Sequence, residues 1–444
     1  MNIKNHSKRQ DLANETAALQ TFCRMKRGTD SVLKSWKKVL GLLLLLAAVL
    51  GVWTGRYQIF DYTAADLFSK LADFVVGANL VVLLIFSIGI LCWLWGGPWQ
   101  AWRIQNNLRR IGFVNDAGEP PTLISIMSDQ TNPKVKILEF YVIGLPIKKW
   151  RDKIAEIQAA LNVTICDIQQ GTDLHHIRVH AAPPASSLPA LLPWKDRYQP
   201  LEGFALAMGE GLLGPVVVDL SKIPHILLGG STGSGKSGLL RVLLRQSLQK
   251  GAEVYIADFK GGVDFSKWWR ERCVMVYHMD ALKKILSHFV QELEARKDLL
   301  RAADCENIDR YNESGHRPLH RMVFACDEVA AMLSRTGRSK DQLKEIDEVV
   351  DKLSLIAQQG RAFGLHLILS TQRPDANLIP GQIRSNMDCK VCGRADSVLS
   401  SIIIDSTAAA DLIPKNAQGR FILNDGNGET SGTVFQAYWL GKDA

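Results

Sequence analysis

Two long apolar stretches stand out in the first hundred residues. Val39–Trp53 carries no charge, and neither does Phe74–Trp95, although Asn79 lies inside it. A helix needs about 20 apolar residues to cross the hydrocarbon core of a bilayer. The second stretch meets that length. The first is slightly short, so Trp36 and Tyr57 are read as its interfacial ends, and Trp93, Trp95 and Trp99 as an aromatic belt on the second. Buried helices of a soluble core are the other reading, and the absence of charge argues against it. From about residue 100 the pattern becomes mixed. Val135–Val142 and His176–Val179 predict strands. Lys148–Leu161, with Trp150, Ile154, Ile157 and Leu161 on one face, predicts a helix. Pro183–Pro189 reads as a linker. Beyond residue 200, short apolar runs alternate with helical segments: Ile226–Leu228, Val254–Ala257, Val274–Tyr277, Met322–Cys326, Leu367–Ser370, Gly419–Leu423 and finally Val434–Trp439. That rhythm predicts a parallel α/β sheet.

The resulting plan has a basic tail over 1–38, transmembrane helices over 39–54 and 74–95, and an external loop over 55–73. A small α+β adaptor domain with its linker follows over 96–200, and an α/β domain over 201–444. The polar tail and the exit Trp53-Thr-Gly-Arg56, which lacks a small-x-small pattern, argue for an uncleaved anchor over a signal peptide.

Charge fixes an expected orientation. Lys26, Arg27, Lys34, Lys37 and Lys38 precede the first span, and Arg103, Arg109 and Arg110 follow the second. The loop between them sets Arg56 and Lys70 against Asp61, Asp66 and Asp73. The positive-inside rule places both termini in the cytoplasm of a two-span protein of the cell membrane. The net charge of +8 admits nucleic acid or anionic lipid as partners, weakly, because basic flanks accompany membrane spans anyway. The eight cysteines are scattered through apolar surroundings and read as reduced thiols. Cys389-Lys-Val-Cys392 has no second pair to complete a metal centre. His175-His176 lies in a predicted strand, where adjacent side chains point to opposite faces.

The chemistry is carried by Gly230-Ser231-Thr232-Gly233-Ser234-Gly235-Lys236-Ser237, followed by Gly238. It fits G-x-x-x-x-G-K-[ST] at every fixed position and sits between a predicted strand and a predicted helix, the context of a P-loop. Glycines let the backbone curl so that successive N–H groups face phosphate oxygens, and the helix adds the positive end of its dipole. Lys236 would reach the β- and γ-phosphates of ATP, and Ser237 would hold Mg²⁺. Arg321–Glu328 is an apolar strand ending in two carboxylates. Asp327 would hold Mg²⁺ beside Ser237, and Glu328 would polarise the attacking water. Leu365–Pro374 is a third strand with a polar end, placing Gln372 to sense the γ-phosphate. Asp258-Phe-Lys-Gly-Gly262 ends the second strand and either helps shape the site or is only a turn. The fold class is therefore α/β: a RecA-like P-loop NTPase with a small α+β adaptor domain and an N-terminal pair of transmembrane helices.

These motifs together resemble the FtsK/SpoIIIE family of DNA-translocating ATPases. The resemblance covers roughly residues 220–425. It rests on Pro224-His225, the P-loop, Asp258-x-Lys260, Glu294-Ala-Arg-Lys297 leading to Tyr311-Asn312, Asp327-Glu328 and Gly360–Pro374, all in order. It implies a homo-hexameric ring on DNA, ATP and Mg²⁺ at subunit interfaces, and an arginine supplied in trans. Arg361, Arg373, Arg384 and Arg394 are the candidates, with Arg384 and Arg394 preferred. Where chromosome translocases have an Arg-Ile-Ala-Phe-like strand, this chain has Lys390-Val-Cys-Gly393, so the trans arginine stays open. The chain stops at Ala444 without the winged-helix module that reads polarity sequences, and it has two spans where chromosome translocases have four. That architecture is similar to the coupling proteins of integrative conjugative elements, which bring relaxase-bound DNA to conjugation channel proteins. A chromosome-segregation pump, a secretion ATPase acting on protein, and an ATP-gated membrane scaffold are the rival expectations.

Overall fold

The computed structural model describes residues 35–55, 67–95, 100–130, 132–184, 188–262, 264–373, 375, 378–424 and 432–441, with a few positions between 21 and 33. Most of the basic tail, the loop over 56–66 with Tyr57, and Trp99 lie outside these residues. The chain divides into two compact units, residues 1–185 and 186–444.

The first unit opens with two helices, α1 (Trp36–Thr54) and α2 (Leu67–Trp95). Both are long and apolar enough to cross a membrane, with mean hydropathy 1.8 over Trp36–Thr54 and 2.7 over Asp73–Trp95. Asn79 is accommodated within α2 because its amide donates to the carbonyl of Val75, one turn back, at 2.8 Å. Next come α3 (Ala101–Arg110), β1 (Thr122–Ser128), β2 (Lys136–Tyr141), α4 (Ile147–Asp152), α5 (Ile154–Leu161), β3 (Thr164–Gln170) and β4 (His176–Ala182). The four strands form an antiparallel sheet in the order β1-β2-β4-β3. Its core gathers Leu108, Phe113, Phe140, Trp150 and Ile157, all nearly inaccessible to solvent.

The single helix expected over Lys148–Leu161 is broken at Lys153, where φ is −111° and ψ is 20°. Two anchors pull the pieces apart. Trp150 of α4 is wedged between Phe113 and Phe140, with ring centroids 4.9 and 5.0 Å away. The end of α5 is fastened to α3 by Asn107, whose amide donates to the carbonyl of Ala160 at 2.9 Å.

The second unit begins with β5 (Leu192–Pro193), the hairpin β6 (Ala205–Gly211) and β7 (Gly214–Asp219), then β8 (His225–Gly229), α6 (Lys236–Gln249) and β9 (Glu253–Ala257). After these come α7 (Lys267–Arg272), β10 (Val274–Val276), α8 (Met279–Ala302), α9 (Ile308–Glu313), β11 (Met322–Cys326), α10 (Val329–Leu333) and α11 (Lys340–Gln359). The chain continues through β12 (Leu365–Thr371), α12 (Gly381–Arg384), β13 (Cys389–Gly393), α13 (Ser397–Ile404), α14 (Ala408–Leu412), β14 (Arg420–Asn424) and β15 (Thr433–Trp439).

The sheet order is β10-β9-β11-β12-β8-β13-β14-β15-β6-β7. The six strands from β10 to β13 are parallel, β14, β15, β6 and β7 follow antiparallel, and β5 lies off this path, parallel to β15. Helices cover both faces. Leu239, Leu240 and Leu243 of α6 pack on one face, and Leu286 and Phe289 of α8 with Val349 and Leu353 of α11 pack on the other. With helices on both faces, β11 and β12 are buried throughout, and their residues are apolar apart from His366, Ser370 and Thr371 of β12.

The β6–β7 hairpin carries a bulge between Ala207 and Gly209. Gln246 of α6, fully buried, compensates for it. Its side chain accepts from the Ala207 N–H and donates to the Ala207 carbonyl, both at 2.8 Å.

Candidate active site

All the parallel strands end at one edge of the sheet, the place where open α/β sheets hold their ligands. The central strand β8 runs into the loop 230–235, which leads directly into α6. Gly230, Gly233 and Gly235 adopt φ of 140°, 76° and 105°, a region closed to most side chains, and this produces the curl. Lys236 opens α6 and folds back so that its ammonium donates to the Gly230 carbonyl and, at 3.3 Å, to that of Ser231. Burial holds its pKa below the ordinary lysine range, against the opposing pull of Glu328 and Asp327. The Ser234 hydroxyl is buried with no hydrogen-bond partner among the described residues.

β12 lies between β8 and β11, so the carboxylate-bearing strand stands two strand spacings, about 10 Å, from the strand of the loop. Side chains close that gap. The Ser237 hydroxyl donates to Asp327 Oδ1 at 2.8 Å, and Lys260 Nζ lies 2.9 Å from Asp327 Oδ2. Glu328 caps α10, accepting from the Ala330 N–H at 3.2 Å and from the Thr371 hydroxyl at 3.2 Å. Gln372, just past β12, accepts from the Thr232 hydroxyl at 2.7 Å. Lys236, Ser237, Lys260, Asp327, Glu328 and Gln372 all line one cavity of about 590 Å³, whose lining also includes Leu191 and Trp439.

The two preferred arginines part company. Arg394 turns back onto its own chain, donating to the carbonyls of Thr232 at 2.9 Å and Lys415 at 2.5 Å. Its own backbone carbonyl accepts from the Ser231 N–H at 2.7 Å. Arg384 sits at the end of α12 beside Ser401 and Asp405, in a separate depression that shares no lining residue with the cavity. Arg361 donates to the Ser221 carbonyl, and Arg373 directly follows Gln372.

Cys389 and Cys392 occupy the core clusters on opposite faces of the sheet, so they do not form a pair. Burial pushes the Cys392 thiol up to about 12. His175 and His176 each take a different oxygen partner, the Val142 carbonyl and the Asp173 carboxylate.

A sequence profile described as the FtsK/SpoIIIE family matches residues 193–376. A solved structure of the pCW3 conjugation coupling protein TcpA, in monomer form with ATPγS, is 32% identical. It matches with a TM-score of 0.57, over 78% of this chain and 96% of that one. The chain belongs to the FtsK/SpoIIIE family. DNA translocase FtsK of Helicobacter pylori strain J99 is 31% identical over 221 residues, which is 47% of this chain and 25% of that protein. DNA translocase SftA of Bacillus subtilis strain 168 is 30% identical over 236 residues, which is 50% of this chain and 24% of that protein. The chain thus spans about a quarter of the length of these curated relatives.

Against the FtsK/SpoIIIE pattern, the structure gives Pro224-His225 a physical role. His225 is fully buried. Its Nδ1 accepts from the Leu367 N–H at 3.0 Å, which fixes the proton on Nε2, and Nε2 donates to the Ala357 carbonyl at 3.1 Å. The neutral ring ties β8 and β12 to α11, and burial lowers its pKa to about 4. His366, on the neighbouring strand, donates from Nδ1 to the Pro224 carbonyl at 3.0 Å and accepts at Nε2 from Arg321 at 3.1 Å. Lys260 entered the sequence reading as part of Asp258-x-Lys260 and Thr371 as part of Gly360–Pro374, but neither was given a role; the structure shows Thr371 steadying Glu328 and Lys260 holding Asp327.

Proposed function

We propose that this chain is a membrane-anchored, ATP-driven DNA translocase that serves as the coupling protein delivering DNA to a conjugative transfer channel. The observation that carries the enzymatic part is the seating of the Ser237 hydroxyl on Asp327, in the same cavity as Lys236, Glu328 and Gln372. The likeness to TcpA over most of both chains supports the conjugative part.

The donor set fits Mg²⁺. Ser237 and Asp327 supply only oxygen, and Mg²⁺ takes one or two protein oxygens together with phosphates and water. When bound, it would neutralise charge building between the β- and γ-phosphates. The chain's own residues do the rest. The loop 230–235 cradles the phosphates with its N–H groups, and Lys236 leaves the Gly230 carbonyl to meet them. Glu328, held by Thr371 and the Ala330 N–H, orients the attacking water and accepts its proton. Gln372, bonded to Thr232, links the phosphate cradle to the strand next to the water-positioning carboxylate. Arg394 braces the cradle in cis. Arg384, which does not line its own cavity, is the better candidate for the cation donated to a neighbouring subunit of a homo-hexamer.

Two spans with both termini in the cytoplasm would tether the ring at a channel mouth, with a relaxase and channel proteins as partners. Pore contacts to phosphates carry no sequence information, so translocation is expected to tolerate any sequence and to weaken with salt. ATP hydrolysis by the full-length protein in detergent, measured with single-stranded DNA, double-stranded DNA or neither, tests the reading. Stimulation by either DNA supports it. Hydrolysis indifferent to DNA would leave a membrane scaffold or a protein transporter.

A further inference from the structure

We propose that Lys260 is a placeholder cation on Asp327 that exchanges with the divalent metal, moving to Asp258 when the metal is loaded. This rests on reading Ser237 and Asp327 as the Mg²⁺–ATP site.

Asp327 is a buried carboxylate with both oxygens engaged. Its side chain is 2% exposed, Oδ1 accepts from Ser237, and Oδ2 pairs with Lys260 at 2.9 Å. A dication held by Ser237 and Asp327 would lie within a few ångströms of that ammonium, and like charges at such range in a half-buried pocket repel strongly. The two cations therefore compete for one carboxylate. The Lys260 side chain is 43% exposed, so it can leave without dragging packed atoms from the core.

Its route and its second berth are both built. Lys260 is followed by Gly261 and Gly262, with φ of 88° and 78°, a pair that can swing where side-chain-bearing residues would be strained. Beyond them the segment is pinned again, because Arg241 of α6 donates to the Asp264 carbonyl at 3.1 Å. At the near end, Asp258 Oδ1 accepts from the Lys260 N–H at 2.9 Å, while Asp258 Oδ2 is buried without a partner among the described residues. Asp258 is 2% exposed. A buried carboxylate oxygen left unbonded is costly, and a lysine two residues along can satisfy it. Burial raises the Asp258 pKa, so an arriving ammonium would also favour its charged form. Metal entry thus moves Lys260 from Asp327 to Asp258, and the glycine pair takes up the displacement.

The test measures binding of a fluorescent ATPγS analogue to the full-length protein in detergent, with EDTA and with Mg²⁺. The ratio of the two affinities is the metal enhancement. Lys260→Met is expected to increase that enhancement about five-fold or more, through tighter binding in Mg²⁺. Lys260→Arg is expected to keep the wild-type ratio. A Lys260→Met ratio equal to or below wild type overturns the proposal. A larger ratio that comes only from weaker metal-free binding, with affinity in Mg²⁺ unchanged or lower, overturns it too, by making Lys260 a phosphate ligand. Asp258→Asn leaves the Lys260–Asp327 pair and removes the second berth. It is expected to lower the enhancement about three-fold or more, and an unchanged ratio counts against the exchange even if Lys260→Met does not fold. Wild-type protein that binds no nucleotide under either condition would instead overturn the ATP-site reading on which the inference stands.

Discussion

Glu328→Gln is the substitution that best separates chemistry from architecture. The carboxylate oxygen Oε1 accepts two hydrogen bonds, from the Ala330 N–H and the Thr371 hydroxyl, each at 3.2 Å. A glutamine presents a carbonyl oxygen at the same place, so the cap of α10 and the tie to β12 survive. Stability should stay within about 0.5 kcal/mol, or about 2 °C in the melting midpoint for a unit of this size. Alanine would be a poorer probe, because losing the cap alone costs about 1 kcal/mol. What the amide cannot do is take a proton from water. General-base catalysis contributes about 10²- to 10⁴-fold, so turnover should fall by that factor, equivalent to about 2.7–5.4 kcal/mol in the barrier. Phosphate release by the full-length protein with DNA gives turnover. Filter retention of labelled ATP gives binding, which should persist or lengthen. A variant that melts normally and turns over within three-fold of wild type would refute the role given to Glu328, and a loss of nucleotide affinity at unchanged turnover would do the same.

Lys236→Ala should reduce hydrolysis at least about 100-fold while membrane insertion, scored by carbonate extraction, is unchanged. Gln246→Ala strands the N–H and carbonyl of Ala207, two buried groups at about 1–3 kcal/mol each, so thermal or urea unfolding of the second unit should show a loss of about 2–5 kcal/mol. The pKa of His225 is depressed to about 4, so its contribution is fully present above the unfolded value near 6.5 and is lost as pH falls toward 4. At 1.36 kcal/mol per unit, that window is worth about 3 kcal/mol. His225→Gln should therefore flatten the dependence of urea stability on pH between 6.5 and 4. Arg394→Ala should weaken nucleotide binding in the unassembled chain, since its guanidinium braces Thr232, whereas Arg384→Ala should leave that binding intact and reduce turnover only in assembled rings.

Much of the second unit was legible beforehand because its inner strands are buried on both faces. Met322–Cys326 and Leu365–Thr371 have no polar alternation to obscure them, apart from His366 and the strand-end Ser370 and Thr371. The P-loop and the Asp327-Glu328 couple were readable for a different reason, since phosphate and metal chemistry restricts which residues can stand at those spacings. The β6–β7 hairpin was not found. Ala205–Gly211 is rich in alanine and glycine, its pairing is interrupted by a bulge, and the amide that repairs the bulge comes from residue 246. The break at Lys153 escaped notice because nothing local demands it; the wedge on Trp150 comes from Phe113 and Phe140. The partner of Lys260 and the cis attachment of Arg394 likewise depend on strands that meet only once the sheet is assembled. Sequence alone could name these residues without saying which oxygen each would touch.

The position of β15 has a consequence for biosynthesis. The hairpin over 205–219 joins the sheet through a strand formed by residues 433–439, more than two hundred residues downstream. On the ribosome, the apolar helices near the start of the chain emerge long before that strand, and a sheet awaiting its last stitch cannot close early. The order of emergence therefore lets the two apolar helices leave the ribosome, free to meet a bilayer, before the nucleotide site is finished.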